Sequence, residues 1–228
     1  DNALRIPDHA SRNSSQAPQF FRDVSHLIHH VHHETGFDDF ARQPLLPHRF
    51  SQLGPGVAWF DLNLDGRDDL IVGAGRGGEV AVLVNHGRGG FQRLAGAGAG
   101  TPAPGDQTSV LGWHSNGNSS ALLVGISNFE QGVTSLPSVV GYQMVSGKLR
   151  QTFEFAGQTA AVGPLALADI DGDGDLDSFV GGRLNPGRYP EPATSRIYRN
   201  AGGEFHLDLE ASRGFVEVGL VSGAVFSD

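Results

Sequence analysis

Two nine-residue segments carry oxygen-bearing side chains at the same spacing. The first runs from Asp61 to Asp69 and the second from Asp169 to Asp177, and both follow the pattern D-x-[DN]-x-D-G-x-x-D. Alternate side chains on a tightly turned loop, together with one backbone carbonyl at position 7, can give a hard cation its roughly six to eight oxygen ligands. Glycine at position 6, Gly66 or Gly174, permits the turn. The spacing therefore predicts two calcium sites.

We expect each loop to supply four side chains and one backbone carbonyl to one ion. The expected ligands are Asp61, Asn63, Asp65, Asp69 and the Arg67 carbonyl for the first ion, and Asp169, Asp171, Asp173, Asp177 and the Asp175 carbonyl for the second. The loops hold nine of the 25 acidic residues and only one of the 16 basic ones. Nearly all of the net charge of −9 thus lies in the loops, where the carboxylates would repel one another without a cation.

The residues around the loops distinguish this motif from an EF-hand. An EF-hand needs a glutamate at position 12 and a helix on each side, whereas position 12 is here Val72 or Val180. Short apolar runs such as Val57–Phe60 flank the loops, and runs of that length bounded by glycine are typical of buried strands. An Asp/Gly-rich hairpin turn that binds no ion is the alternative interpretation.

The repeats extend beyond the loops. Each loop is followed by a strand, a glycine turn, a third strand, a tight turn and a fourth strand. A copy without the acids covers Ser109–Gly125, and Ser222–Asp228 matches the first strand of a further copy. Trp113, Asp169 and Asp228 occupy the position of Asp61 at successive intervals of 52, 56 and 59 residues. A period of this size with four short strands per unit predicts a β-propeller.

The pattern resembles the FG-GAP/VCBS repeats of integrin-α-like propellers, in which a calcium loop joins the first two strands of a blade. The segments Asp38–His48 and Ser51–Pro55 also resemble the N-terminal part of bacterial VCBS-repeat proteins with an ASPIC/UnbV-type region. The likeness covers residues from about 19 to 228. It implies a calcium-binding β-propeller but says little about what the propeller binds. We expect a calcium-stabilised, extracytoplasmic module that binds a protein or glycan or forms part of a surface assembly.

The predicted fold is all-β, a propeller of four-stranded blades that is incomplete in this chain, with about three blades and the first strand of another. We expect either residues beyond Asp228 or another chain to complete the ring. In the first case Asp228 would begin a third calcium site. The predicted division is a flexible leader (1–18), an edge strand and His-rich connector (19–56), a calcium blade (57–107), a degenerate blade (108–160), a second calcium blade (161–215) and the start of another blade (216–228).

A run of histidines between His26 and Glu34 leaves two interpretations open. On a helix, His26, His29, His30 and His33 would share one face and could bind zinc, copper or a haem iron. A propeller-based hydrolase or lyase using a transition metal there is the enzyme alternative. In the other interpretation the segment is a polar connector, in which His33 and Glu34 brace the first blade.

Other features limit the function classes. The sequence contains neither a nucleophile elbow nor a phosphate loop, and Gly73–Gly78 is followed by a predicted strand rather than the helix a dinucleotide site needs. We therefore expect a non-enzymatic protein. The acidic charge balance disfavours nucleic acid as a partner, and no apolar run is long enough for a membrane span. Extracellular calcium sites work at about 10⁻⁴–10⁻³ M, which favours an extracellular, cell-surface or periplasmic location.

Overall fold

Three four-stranded antiparallel sheets make up most of the molecule. The computed structural model describes residues 21–96, 101–115 and 119–227, so the predicted leader and Asp228 lie outside the described residues. The described strands are β1 (Val57–Phe60), β2 (Asp69–Val72), β3 (Ala81–Asn85), β4 (Phe91–Arg93), β5 (Asp106–Ser115), β6 (Ser119–Ser127), β7 (Val139–Val145), β8 (Lys148–Phe155), β9 (Ala161–Ala168), β10 (Asp177–Leu184), β11 (Arg196–Ala201) and β12 (Glu204–Asp208). One short helix, α1 (Asp39–Arg42), precedes them, and 3₁₀ turns span Ser25–Leu27 and Ala211–Phe215.

Each sheet is a meander in which consecutive strands are neighbours. The orders are β1-β2-β3-β4, β5-β6-β7-β8 and β9-β10-β11-β12. The predicted sequence of strand, acidic loop, strand, glycine turn, strand, tight turn and strand is confirmed in the first sheet. The third sheet has the same order of strands, but Gly181–Arg183, predicted as its glycine turn, lies within β10, and residues 185–195 make the connection to β11. The unit without acids also forms four strands in this order. Gly202 and Gly203 make the last tight turn with φ of +65° and +97°, a conformation that favours glycine.

The second sheet is buried on both faces. Leu122 and Val124 of β6 face the core shared with the first sheet, whereas Ala121 and Leu123 face the core shared with the third. Successive side chains of a strand point to opposite faces, so a strand of consecutive apolar residues can pack against a sheet on each side. This packing explains why β6 reads Ala-Leu-Leu-Val without polar alternation.

The first strands of the three sheets are adjacent. A Cβ atom on Gly56 would lie 2.7 Å from the Ser109 backbone, and one on Gly112 would lie 2.3 Å from the Phe60 ring. On the other side of the second sheet, Thr108 Oγ1 donates a hydrogen bond of 3.0 Å to the Val162 carbonyl. Glycine is thus needed where β1 and β5 approach most closely.

Both predicted terminal strands differ from the structure. Residues 21–24 of the predicted edge strand are irregular, and no strand forms over 216–227, where Gly219 makes one isolated bridge to Ala193. A strand needs a neighbour with free backbone groups, and each first strand in the three sheets pairs with the strand that follows it. Such a partner is missing among the described residues for 222–227. The described strands form three separate sheets rather than a closed one.

The backbone after residue 72 confirms one exclusion made from the sequence. Gly73–Gly78 leads into β3 at Ala81 and not into a helix, so this glycine-rich segment is a bend between strands. Within residues 21–96, 101–115 and 119–227, none of the helices has the length and apolar character needed to cross a membrane.

Candidate metal centres

The two acidic loops fold in the same way. In the first loop the Asp61 carboxylate accepts hydrogen bonds from the backbone N–H groups of Asp65 (3.0 Å) and Gly66 (2.7 Å). In the second, Asp169 accepts from Asp173 (3.1 Å) and Gly174 (3.0 Å). The repeated arrangement shows that the aspartate at position 1 organises the turn in both copies.

The middle positions of the loops also match. The side chains at position 3, Asn63 and Asp171, accept a hydrogen bond from the N–H at position 5. The carboxylates at position 5, Asp65 and Asp173, accept from the N–H at position 7. Gly66 and Gly174 have φ of +83° and +93°, so the turn predicted at position 6 is present. Oxygens of alternate side chains therefore line each turn.

The last acid of each loop lies at the start of the second strand and has no solvent exposure. Asp69 accepts hydrogen bonds from the N–H groups of Leu62 (3.2 Å) and Asn85 (2.8 Å), and Asp177 accepts from those of Ile170 (2.9 Å) and Asn200 (2.9 Å). Burial raises the pKa of Asp69, although the two N–H groups oppose the shift. Each of these carboxylates joins its loop to the third strand of the same sheet.

Asn85 and Asn200 are functional residues that we did not predict from the sequence. Their side-chain amides donate to the carbonyls of Asp68 and Leu176, both at 3.1 Å. Their side-chain oxygens accept from Gly87 and Gly203 in the following turn, both at 2.9 Å. The available signal was the recurrence of asparagine before a glycine turn in both repeats.

Replacing Asn200 by alanine should lower the free energy of unfolding by about 1–3 kcal/mol, because the change removes two partly buried hydrogen bonds, each of which contributes about 0.5–1.5 kcal/mol. Asn200 is 5% exposed and makes two side-chain hydrogen bonds. Urea denaturation at constant calcium measures the change. Asn185→Ala is the matched control, since the half-buried Asn185 makes one solvent-exposed side-chain hydrogen bond, to the Pro192 carbonyl. A loss no larger than that of the control would contradict the role of Asn200.

The two loops differ in how basic side chains approach them. In the first loop the Arg67 guanidinium lies 2.7 Å from Asp65 Oδ2 and donates to the Asn85 carbonyl. In the second, Arg199 of β11 lies 2.9 Å from Asp177 and 3.6 Å from Asp171. Arg199 was not predicted as part of the site, because it is distant from the loop in sequence.

Three acids of the second loop lie close enough together that they could hold one metal ion. Oxygens of Asp169, Asp171 and Asp177 lie within 4.8 Å of one another, whereas within the described chain the acids of the first loop do not form such a group. All-oxygen donors on a glycine turn fit a hard cation such as Ca²⁺. The expected carbonyl ligands, Arg67 and Asp175, remain predictions.

The histidine run does not form the helical face that a transition-metal site would need. The 3₁₀ turn ends at Leu27, and His29 has φ of +44°, so His26, His29, His30 and His33 do not share a helical face. Burial lowers the pKa of His30, and neither of its ring nitrogens has a hydrogen-bond partner among the described residues. The His33 carbonyl accepts a hydrogen bond of 2.9 Å from Gly75 N–H. This contact fits the interpretation of the segment as a connector that braces the first sheet.

Comparison with known proteins assigns no family. The chain matches no protein-family model, and no curated protein matches it significantly. The functional argument therefore depends on the loop geometry and on the packing of the three sheets.

Proposed function

We propose that this chain is a calcium-stabilised segment of an FG-GAP/VCBS-type β-propeller, acting outside the cytoplasm as a binding or assembly module. The observation that carries the proposal is the duplicated loop. Two sequences 108 residues apart place the same four oxygen-bearing positions in the same hydrogen-bond pattern, at the same point of two separate sheets. Because the ligand positions and the strands that support them are both duplicated, we infer that the two loops bind the same kind of ion rather than being two unrelated acidic turns.

The sheet packing supports the propeller. In such a ring the first strands of the blades lie side by side and the sheets stack face to face. The strands β1, β5 and β9 are neighbours in this way, and a shared apolar core lies between each pair of neighbouring sheets. Both outer faces of the three-sheet stack are also apolar. Leu70, Val72 and Leu83 lie on the outer face of the first sheet, and Ala166, Phe179 and Ile197 on that of the third. Ile28 and Phe91 pack against the first of these groups, and Phe215, Val221 and Ala224 pack against the second. A further blade would therefore meet the exposed remainder of the first face, where Val57 and Trp59 lie.

The role of calcium in the proposal is structural. The carboxylates of a metal-free loop repel one another, so an ion bound to the folded loop adds its binding free energy to the stability of the fold. The chain's own residues hold the loop: Asp69 and Asp177 fasten it to the third strand, and Asn85 and Asn200 fasten the following turn. Carboxylates that hold a calcium ion make poor general bases, because the cation stabilises their ionised form, and this favours a binding module over an enzyme.

The partner surface is the outer face of the first sheet. Val57 and Trp59 are 55% and 57% exposed there, and the Trp59 ring lies 5.9 Å from that of Phe91. Exposed aromatic residues on an otherwise buried sheet face are typical of an interface. We propose that another polypeptide, either further blades or another chain of a surface assembly, covers this face. Loops elsewhere would carry a protein or glycan ligand.

Sedimentation of the purified chain over a wide concentration range tests the proposal. We expect concentration-dependent association in calcium, because the exposed Val57 and Trp59 side chains of two copies can pack against each other. Trp59→Ser should weaken that association on the order of tenfold, the effect of losing one central aromatic anchor. Leu45→Ser is the control, since Leu45 is 92% exposed but belongs to neither outer face. Equal association of Trp59→Ser and Leu45→Ser would contradict the proposed interface. Association that is unchanged when a chelator removes calcium would contradict the proposed role of calcium.

A further inference from the structure

A second group of acids lies at the end of the sheets opposite the loops. Oxygens of Glu34, Asp106 and Glu130 lie within 4.8 Å of one another. The first loop joins β1 and β2 at one end. At the other end the Gly56 N–H donates to the Gln107 carbonyl at 2.8 Å, which places the start of β5 there. This carboxylate cluster, Glu34, Asp106 and Glu130, is therefore separate from both acidic loops.

Three distant parts of the chain build the carboxylate cluster. Asp106 is the first residue of β5 and pairs with Ser127 at the end of β6, three residues before Glu130. Glu34 comes from the connector that precedes α1. The connector passes so close to Gly75 that a Cβ atom there would lie 2.8 Å from Glu34 Oε1. The fold thus holds the Glu34 carboxylate against the bend after β2.

Glu130 carries the evidence that the cluster takes a ligand. Its side chain is 2% exposed, and Oε1 is buried without a hydrogen-bond partner among the described residues. Oε2 lies 3.0 Å from Arg76 Nε in an ion pair. Buried polar oxygens are normally satisfied, and an unsatisfied carboxylate oxygen costs more than a neutral one. An oxygen left in this state beside two other carboxylates points to a missing cationic partner.

The charge balance of the carboxylate cluster also indicates a missing cation. Asp106 is 5% exposed, and its carboxylate accepts a hydrogen bond of 3.0 Å from the backbone N–H of Arg76. Arg76 is the cation in contact with Glu130, and His32 Nε2 lies 3.4 Å from Glu34 Oε2. Three ionised carboxylates with one guanidinium leave two negative charges, which one divalent cation would balance. Burial raises the pKa of Asp106 to about 6 and also raises that of Glu130.

We propose that the carboxylate cluster binds one hard divalent cation, Ca²⁺ or Mg²⁺, which ties the connector to the second sheet. Carboxylate oxygens are the ligands that both ions prefer. A spacing of up to 4.8 Å between the oxygens is about twice a calcium–oxygen distance of roughly 2.3–2.6 Å, so one ion can contact all three groups. Magnesium would draw the carboxylates closer together, since its ligands lie at about 2.0–2.1 Å.

Arg42 strengthens the same connection. Its guanidinium donates to the Phe129 carbonyl, and at 2.7 Å to the Glu130 carbonyl. α1 and the Glu34 segment therefore both dock on the turn after β6. An ion in the carboxylate cluster would complete this attachment.

Crystallography with a scattering cation tests the site directly. Crystals of the wild-type chain soaked in MnCl₂, and separately in CaCl₂ or MgCl₂, should show an ion in contact with Glu34, Asp106 and Glu130. The manganese position is identified by its anomalous signal, independently of the two loops. A map at saturating cation with no ion between the three carboxylates would overturn the proposal, whatever the loops contain.

Counting bound ions by equilibrium dialysis with Ca²⁺ and with Mg²⁺ separates the two cations. Glu130→Gln keeps the size of the side chain but removes a charge, and it should bind one ion fewer per chain than the wild type. Glu34→Gln tests the same loss at a side chain that is 26% exposed. Glu191→Gln is the control, because Glu191 lies in an exposed ion pair with Arg188. Unchanged stoichiometry in folded Glu130→Gln and Glu34→Gln would overturn the proposal, whereas a loss confined to Asp171→Asn would place all of the bound ions in the loops.

Discussion

Chelation of calcium should lower the unfolding temperature of this chain by several degrees for each loop. Calcium at about 100 times the dissociation constant stabilises a folded site by about 2.7 kcal/mol, and about 1 kcal/mol shifts the midpoint of a chain of this size by about 2–4 °C. We therefore expect a loss of about 5–10 °C per loop when EGTA replaces saturating calcium. The loss is expected because the two loops hold nine of the 25 acidic residues, and their carboxylates repel one another when no cation is bound. Differential scanning calorimetry in calcium and in EGTA measures the difference.

Two single substitutions assign this effect to the predicted ligand frame. Asp173→Ala removes a carboxylate at position 5, so the second loop should lose most of its response to calcium. Asp68→Ala removes an acid outside the ligand frame and should leave most of the response intact. The variants have the same change in charge, so long-range electrostatics affects both. Equal losses would contradict the assignment of these positions.

Asp177→Ala should destabilise the fold in calcium and also in EGTA. The Asp177 carboxylate has no solvent exposure and accepts hydrogen bonds from Ile170, Asn200 and Arg199. Removing one partner from a buried charged network typically costs about 3–5 kcal/mol, which is a large part of the stability of an ordinary domain. Urea denaturation in both solutions measures the loss.

Asp171→Ala provides the contrast within the same loop. The Asp171 side chain is 43% exposed and lies 3.6 Å from Arg199, so its loss should destabilise the chain mainly when calcium is present. Asp177 would thus have a structural role that does not depend on the ion, whereas Asp171 would act through the ion. Equal stability of Asp171→Ala and Asp177→Ala in EGTA would contradict the stabilising role of the hydrogen bonds to the buried Asp177.

The prediction from the sequence succeeds where the signal is local. The strands β1, β2, β9 and β10 and the turns between them follow from short apolar runs and from glycine at position 6. These features act through neighbouring residues, because a strand is recognised by alternation over a few positions and a turn by the backbone conformation of one or two. The prediction of strands at 21–24 and 222–227 was wrong, since a strand also depends on a partner that the local pattern does not specify.

The amino-acid sequence by itself determined that the chain is all-β, that its units repeat, and that two loops present oxygens at the spacing of a calcium site. Only the tertiary structure decided which residues support those loops and which distant acids meet. Asn85 and Asn200 reach the loops because β3 and β11 pair with β2 and β10, the strands that follow the loops. Glu34, Asp106 and Glu130 meet because the connector packs against the bend after β2, beside the start of β5. Such contacts depend on the packing of whole sheets, and residues nearly 100 positions apart carry no local pattern that reveals their proximity.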